Sequence, residues 1–106
     1  MPRTAREPFS IRAAVGPDGA VLAPSGDVDA YATPVLLDAA RAALASGQRN
    51  LTLDCEKVWF LDSAGLRAVG ILREEVVAGG GALRLTNVPE LVAAVLRIAA
   101  LDHLMA

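Results

Sequence analysis

The sequence predicts a single α/β domain: a mixed β-sheet with its helices packed mainly on one face, in the order ββαβαβα. Three observations lead there. Short segments that alternate apolar and polar residues take turns with longer ones whose apolar residues recur at helical spacing. Strands separated by helices of this length need crossover connections, which makes a sheet covered on one side the economical architecture. The 106 residues are 54% hydrophobic but only 4% aromatic, which suits one core of Leu, Val and Ala with close helix-to-sheet packing.

Residues 1–8, with Pro2, Arg3 and Arg6, read as a flexible leader to a single domain spanning 9–106. Two strands are expected over 9–15 and 20–24, joined at Gly16-Pro17-Asp18-Gly19, whose Pro and Gly placement is that of a tight hairpin turn. Ser25-Gly26-Asp27-Val28-Asp29 follows as a small acidic loop. Thr33-Pro34 then pairs an N-cap residue with a proline preset for the first helical position. Leu36, Leu37, Ala40, Ala43 and Leu44 carry that helix to Gly47, where a left-handed cap residue is usual.

Residues 50–55 alternate, with Leu51, Leu53 and Cys55 on one face, and run into the apolar stretch 58–61, together the candidate for a central strand. From Ser63 onward Ala68, Val69, Leu72 and Val76 form an inward stripe opposed by Arg67, Arg73, Glu74 and Glu75. Gly79-Gly80-Gly81 releases the chain into another alternating strand over 82–86. Pro89 opens a third helix carrying Leu91, Val92, Val95, Leu96 and Ala99.

Composition removes several functions. Ten basic against twelve acidic residues, net charge −2, supply no attractive field for nucleic acid, so direct DNA or RNA binding is not expected. One cysteine, no charged-then-apolar leader and no run of 18 apolar residues predict a cytoplasmic protein without membrane insertion. Cys55 lies between Asp54 and Glu56, whose charges keep a thiol protonated, and has no CxxC partner. One histidine and one cysteine make no metal site, and the pair Asp27 and Asp29 is too small for a hard-cation cage, so no cofactor is expected.

The glycine run precedes a strand rather than opening a helix, which makes it a turn and not a phosphate loop. A nucleophile elbow needs glycine two residues before the serine, where Leu61 stands, and His103 has no sequence link to Ser63, so hydrolase chemistry is not expected. Trp59, in a strand, is expected to be packed at least partly into the core.

What remains is the junction Leu61-Asp62-Ser63-Ala64-Gly65-Leu66, where an apolar strand runs straight into a helix. Ser63 is expected at the helix N-cap, with Asp62 as the alternative cap or first-turn acid. The plain reading is a cap and nothing more. The other is a modification site, because free first-turn amides and the positive end of the helix dipole suit a phosphate of about −1.5 to −2 charges. Gly65 would let another protein's backbone approach, and Leu66 would add apolar contact surface. Loops at the carboxyl ends of parallel strands gather at one edge, so the Asp27–Asp29 turn should stand beside Asp62-Ser63.

These residues resemble a STAS domain, and within it the bacterial anti-anti-sigma factors (anti-sigma factor antagonists). The resemblance rests on Ser25-Gly26-Asp27-Val28-Asp29 with Thr33-Pro34, on Leu51-Thr52-Leu53-Asp54 running into Phe60-Leu61-Asp62-Ser63-Ala64-Gly65-Leu66, and on the glycine turn before Leu83-Arg84-Leu85. It implies that Ser63 stands at the family's phosphoacceptor position and Asp29 at the acidic position closing the first loop beside it. It also implies an ATP-dependent anti-sigma factor serine kinase as partner, which binds the unmodified antagonist and releases the phosphorylated one, and a serine phosphatase that resets the switch in a stress or developmental response. The same family includes non-switching modules, used as scaffolds of signalling assemblies and in lipid or anion transport systems. Family members commonly continue beyond the third helix, whereas this sequence stops at Ala106.

Overall fold

The computed structural model describes residues 8–106, so all of the expected leader except Pro8 lies outside the described residues. The elements are β1 (Ser10–Gly16), β2 (Gly19–Val28), α1 (Thr33–Ala45), β3 (Leu51–Asp54), β4 (Lys57–Leu61), α2 (Ser63–Ala78), β5 (Leu83–Thr86) and α3 (Glu90–Ile98), followed by a 3-10 turn at Asp102–Leu104. The sheet runs β1-β2-β3-β5, antiparallel between β1 and β2 and parallel elsewhere, with β4 also pairing β2.

β2 organises this sheet because it is long enough to serve two partners in succession. Ala20, Leu22, Pro24, Gly26 and Val28 are buried, whereas Ala23, Ser25 and Asp27 are only half-buried and Val21 is exposed. The segment Ser25–Val28, expected as loop, is therefore strand. Ser, Gly and Asp are weak strand formers, and here pairing with β4 overrides the local preference.

The expected central strand over 50–61 is divided in two. β3 pairs with Ala20, Val21 and Leu22 and β4 with Ser25 to Val28, while Cys55 and Glu56 step out between them. Across from that step lie Ala23 and Pro24, and a proline has no N–H to offer in the middle of a sheet. Cys55 donates its amide to the Thr86 carbonyl instead (2.8 Å), and Val58 folds back onto the Cys55 carbonyl (3.0 Å).

A second irregularity follows inside β4. Val58 faces Gly26 and Phe60 faces Asp27, which leaves Trp59 as the extra residue of a β-bulge. The bulge turns both aromatics outward, Trp59 to 49% and Phe60 to 45% exposure, before Leu61 points in again. Trp59 is thus a surface residue outside the core cluster, where packing at least partly into the core was expected.

The core lies between the sheet and its helices, with Leu22, Leu36, Leu51, Leu72, Leu85 and Leu96 fully buried. Ala68, Val69, Leu72 and Val76 of α2 are all buried, as their spacing requires. No polar or charged residue is buried among the described residues, so apart from the backbone ladders the interior is held mainly by apolar packing. On the surface Arg41 of α1 and Glu75 of α2 form a two-bonded ion pair, Nε to Oε1 and Nη2 to Oε2, each 3.0 Å.

Candidate functional site

β2 and β4 run parallel and finish together, with Val28 beside Leu61 and the Asp62 amide 3.4 Å from the Val28 carbonyl. The turns after the two strands therefore leave the same edge of the sheet side by side, and each begins with an aspartate, Asp29 and Asp62.

The first turn is built around Asp29. Its Oδ1 accepts the amides of Tyr31 (3.0 Å) and Ala32 (2.9 Å), while its carbonyl accepts the Thr33 amide (2.9 Å) and hydroxyl (2.8 Å). Thr33 is accordingly the first residue of α1 rather than its cap. Ala32 is the N-cap and makes no side-chain cap bond, while Asp29 ties down the turn before the helix through its Asx turn and its carbonyl. Asp27, one pleat earlier, is half-buried and lies opposite Phe60 across the ladder.

The second turn corrects the expected capping. Asp62, in extended conformation (φ −93°, ψ −172°), is the N-cap of α2, and its Oδ1 accepts the Gly65 amide at 2.9 Å. Both Asp and Ser cap well, but Asp62 is the residue that leaves β4 before the helical dihedrals begin. Ser63 becomes the first helical residue, exposed, with a hydroxyl that makes no hydrogen bond to any described residue. Its amide and that of Ala64 are likewise uncommitted, since the cap satisfies only Gly65.

Gly65 is buried, and the close approach it permits is internal. A Cβ there would collide with the Val28 carbonyl oxygen and stand 2.6 Å from Leu61 Cδ1. The missing side chain seats α2 on the ends of β2 and β4, so a partner's backbone does not use that space. Ala64 and Leu66 are half-buried, and Leu66 packs partly against the core.

Next to the acidic turn lies an open cleft of about 470 Å³, lined by Pro8, Phe9, Asp27, Asp29, Tyr31, Ala32 and Val35. Tyr31 is 88% exposed, and with Val35, Trp59 and Phe60 it adds exposed apolar surface near this edge. Sequence reasoning did not single out Tyr31 or Val35. The usable signal was position: Tyr31 follows the turn-forming Asp29 by two residues, and Val35 lies in the first turn of α1.

Two other residues weighed for chemistry lie elsewhere. Cys55 is buried in the core, and its thiol is pushed up to about 12, first by burial and then by the Asp54 charge. It is inert. His103 is exposed in the C-terminal 3-10 turn. Among the described residues no group of three or more His, Cys, Asp or Glu is placed to hold a metal ion, and no helix is long and apolar enough to cross a membrane.

A mixed sheet with helices on one face, and an acid-capped helix opening on an exposed serine where two parallel strands end, define a STAS-type domain. The profile of the family described as "Mlab, STAS domain" matches residues 11–106, and the chain belongs to that family. Solved structures share the fold at low identity. An anti-sigma factor antagonist from Mycobacterium paratuberculosis is 22% identical, with a TM-score of 0.80 over 91% of this chain and 81% of that one. The unphosphorylated anti-sigma factor antagonist SpoIIAA is 23% identical, with a TM-score of 0.79 over 93% and 86%. The phosphorylated form of SpoIIAA, from Bacillus, gives 22% and 0.73 over 93% and 89%.

Proposed function

We propose that this protein is a non-enzymatic, cytoplasmic anti-sigma factor antagonist. It binds an ATP-dependent anti-sigma factor serine kinase while Ser63 is free and is released once Ser63 is phosphorylated, and a serine phosphatase restores the binding form. The observation that carries this reading is the exposed, unbonded Ser63 hydroxyl at the first position of a 16-residue helix.

In the transfer, Ser63 Oγ attacks the γ-phosphorus of ATP, the bond from that phosphorus to ADP breaks, and the hydroxyl proton passes to a base supplied by the kinase. The product is an anion at a helix N-terminus, where the amides of Ser63 and Ala64 and the helix dipole favour it. Modification is therefore compatible with the fold. The same dianion stands beside Asp62 and near Asp27 and Asp29, and like-charge crowding under a docked partner costs affinity. A difference of about 2.8 kcal/mol between the two forms is a hundredfold in affinity, enough to reverse partner choice. Half-buried Ala64 and Leu66 border this surface.

The test is incubation of the full chain with its kinase partner and ATP, followed by intact mass. Wild type is expected to gain one phosphoryl group and Ser63→Ala none, while Ser63→Asp keeps its circular dichroism and binds the kinase at least tenfold more weakly. A wild-type chain that binds the kinase without ever gaining phosphate would instead be a constitutive module.

A further inference from the structure

Most margins of the sheet are covered. The chain end lies along β5, where Met105 bridges Leu85 and the Ala106 amide reaches the Leu85 carbonyl (2.9 Å). Helix α3 packs against β4, which among the described strands pairs with β2 alone. β1 differs, because its outer edge pairs with no described strand. It is seven residues long, in unbroken register with β2, free of proline, and carries a single charge at Arg12. Proteins protect such edges with charges, prolines or bulges, and this one has little of that protection.

The direction of its backbone groups follows from one bond. The Ala20 amide donates to the Asn50 carbonyl on the β3 side (3.0 Å), away from β1. Val15, which faces Ala20, is therefore in a non-hydrogen-bonded pair, and its own N–H and C=O point out of the sheet edge. Alternation along the strand sends those of Ala13 and Ile11 the same way.

We infer that this edge is a homodimer interface, at which β1 of a second copy pairs antiparallel about a two-fold axis through Ala13. That register sets the outward-facing residues against one another, Ala13 with Ala13 and Ile11 with Val15 twice, so that each pair exchanges two backbone bonds. It also serves the side chains. Ile11 and Val15 lie opposite Pro24 and Ala20, on the side of the sheet that carries the helices, yet Val15 is 68% exposed. In the dimer Val15 meets the half-buried Ile11 of the other copy.

Neighbouring registers are worse. An axis through Arg12 sets the two guanidinium groups directly opposite each other. An axis through Ala14 places Ile11 against Pro17, which has no N–H to give. Two five-stranded sheets would join into one. One strand pair buries less than a standard interface, so the dimer forms with rising concentration rather than as an obligate unit.

Sedimentation velocity of the full chain over a concentration series, with three variants, decides the matter. Wild type is expected to move from monomer toward dimer mass, while Val15→Lys stays monomeric with unchanged circular dichroism. Under oxidised glutathione Ala13→Cys is expected to form a covalent dimer, because a hydrogen-bonded antiparallel pair places its Cα atoms about 5.5 Å apart, within disulfide reach. Ala14→Cys, facing Arg12, does not, and buried Cys55 adds no background. A wild-type chain that stays monomeric throughout, a dimer indifferent to Val15→Lys, or equal cross-linking from Ala14→Cys overturns the inference.

Discussion

The two ends of α2 obey the same steric rule and differ in everything else. At the N-terminal end a Cβ on Gly65 would strike the Val28 carbonyl oxygen, and at the C-terminal end a Cβ on Gly81 would strike the Arg49 carbonyl oxygen. Both glycines exist so that the helix and its following turn can lie against a neighbouring segment. At the C-terminal end the backbone then satisfies itself, with the amides of Gly79, Gly80 and Gly81 donating to the carbonyls of Glu75, Val77 and Val76 at 3.2, 3.0 and 3.0 Å. No side chain takes part. At the N-terminal end a carboxylate does the capping, leaving two amides and a hydroxyl uncommitted among the described residues. A glycine beside a helix end thus reports packing, and the polar groups left uncommitted mark where chemistry can happen.

Substitutions can break this comparison, beginning with the glycines. Gly81→Ala and Gly65→Ala are each expected to cost about 1–3 kcal/mol, because the obstacle is backbone rather than a flexible side chain. Urea unfolding measures both, and a Gly65→Ala protein as stable as wild type would mean that α2 is not seated on Val28. Asp62→Ala comes next, at about 1 kcal/mol for the lost cap. The C-terminal end has no side-chain counterpart to remove.

Ser63→Ala sharpens the contrast, since an exposed, unbonded hydroxyl is worth less than about 0.5 kcal/mol to stability, and its thermal melt should overlay wild type even though modification is abolished. Arg41→Ala is also expected to have a small effect. The Arg41 hydrogen bond holds the Glu75 carboxyl below its ordinary 4.5. That pairing contributes stability above pH 4.5, which is lost as pH falls through the lowered value. In Arg41→Ala the acid side of the stability profile should flatten slightly, and the difference from wild type should shrink in high salt.

Much of this architecture could be read in advance. The stripe Ala68, Val69, Leu72, Val76 announced α2, the Pro17-Asp18 turn announced the hairpin, and parallel strand ends implied that the turns at Asp29 and Asp62 would be neighbours. The failures share a cause. Trp59 sits in an apolar run, and only the register between β4 and β2 reveals the bulge that exposes it. The break at Cys55–Glu56 traces to Pro24 on a different strand. Asp62 and Ser63 are both good caps, and the choice depended on where β4 ends and helical geometry begins.

Local sequence by itself determined most of the strands and helices and which face of each is apolar, because those follow from periods of two and 3.6 residues within a single element, whereas the strand over Ser25–Val28 came from pairing with β4. It also placed a serine and an aspartate together where a strand meets a helix. Tertiary structure alone decided which of the two caps α2, why Gly65 has no side chain, that Trp59 faces solvent, and that the outer edge of β1 pairs with no described strand. Each of these depends on a neighbour distant in sequence, through a carbonyl, a ladder register or a missing partner strand, and no property of the segment itself records where that neighbour lies.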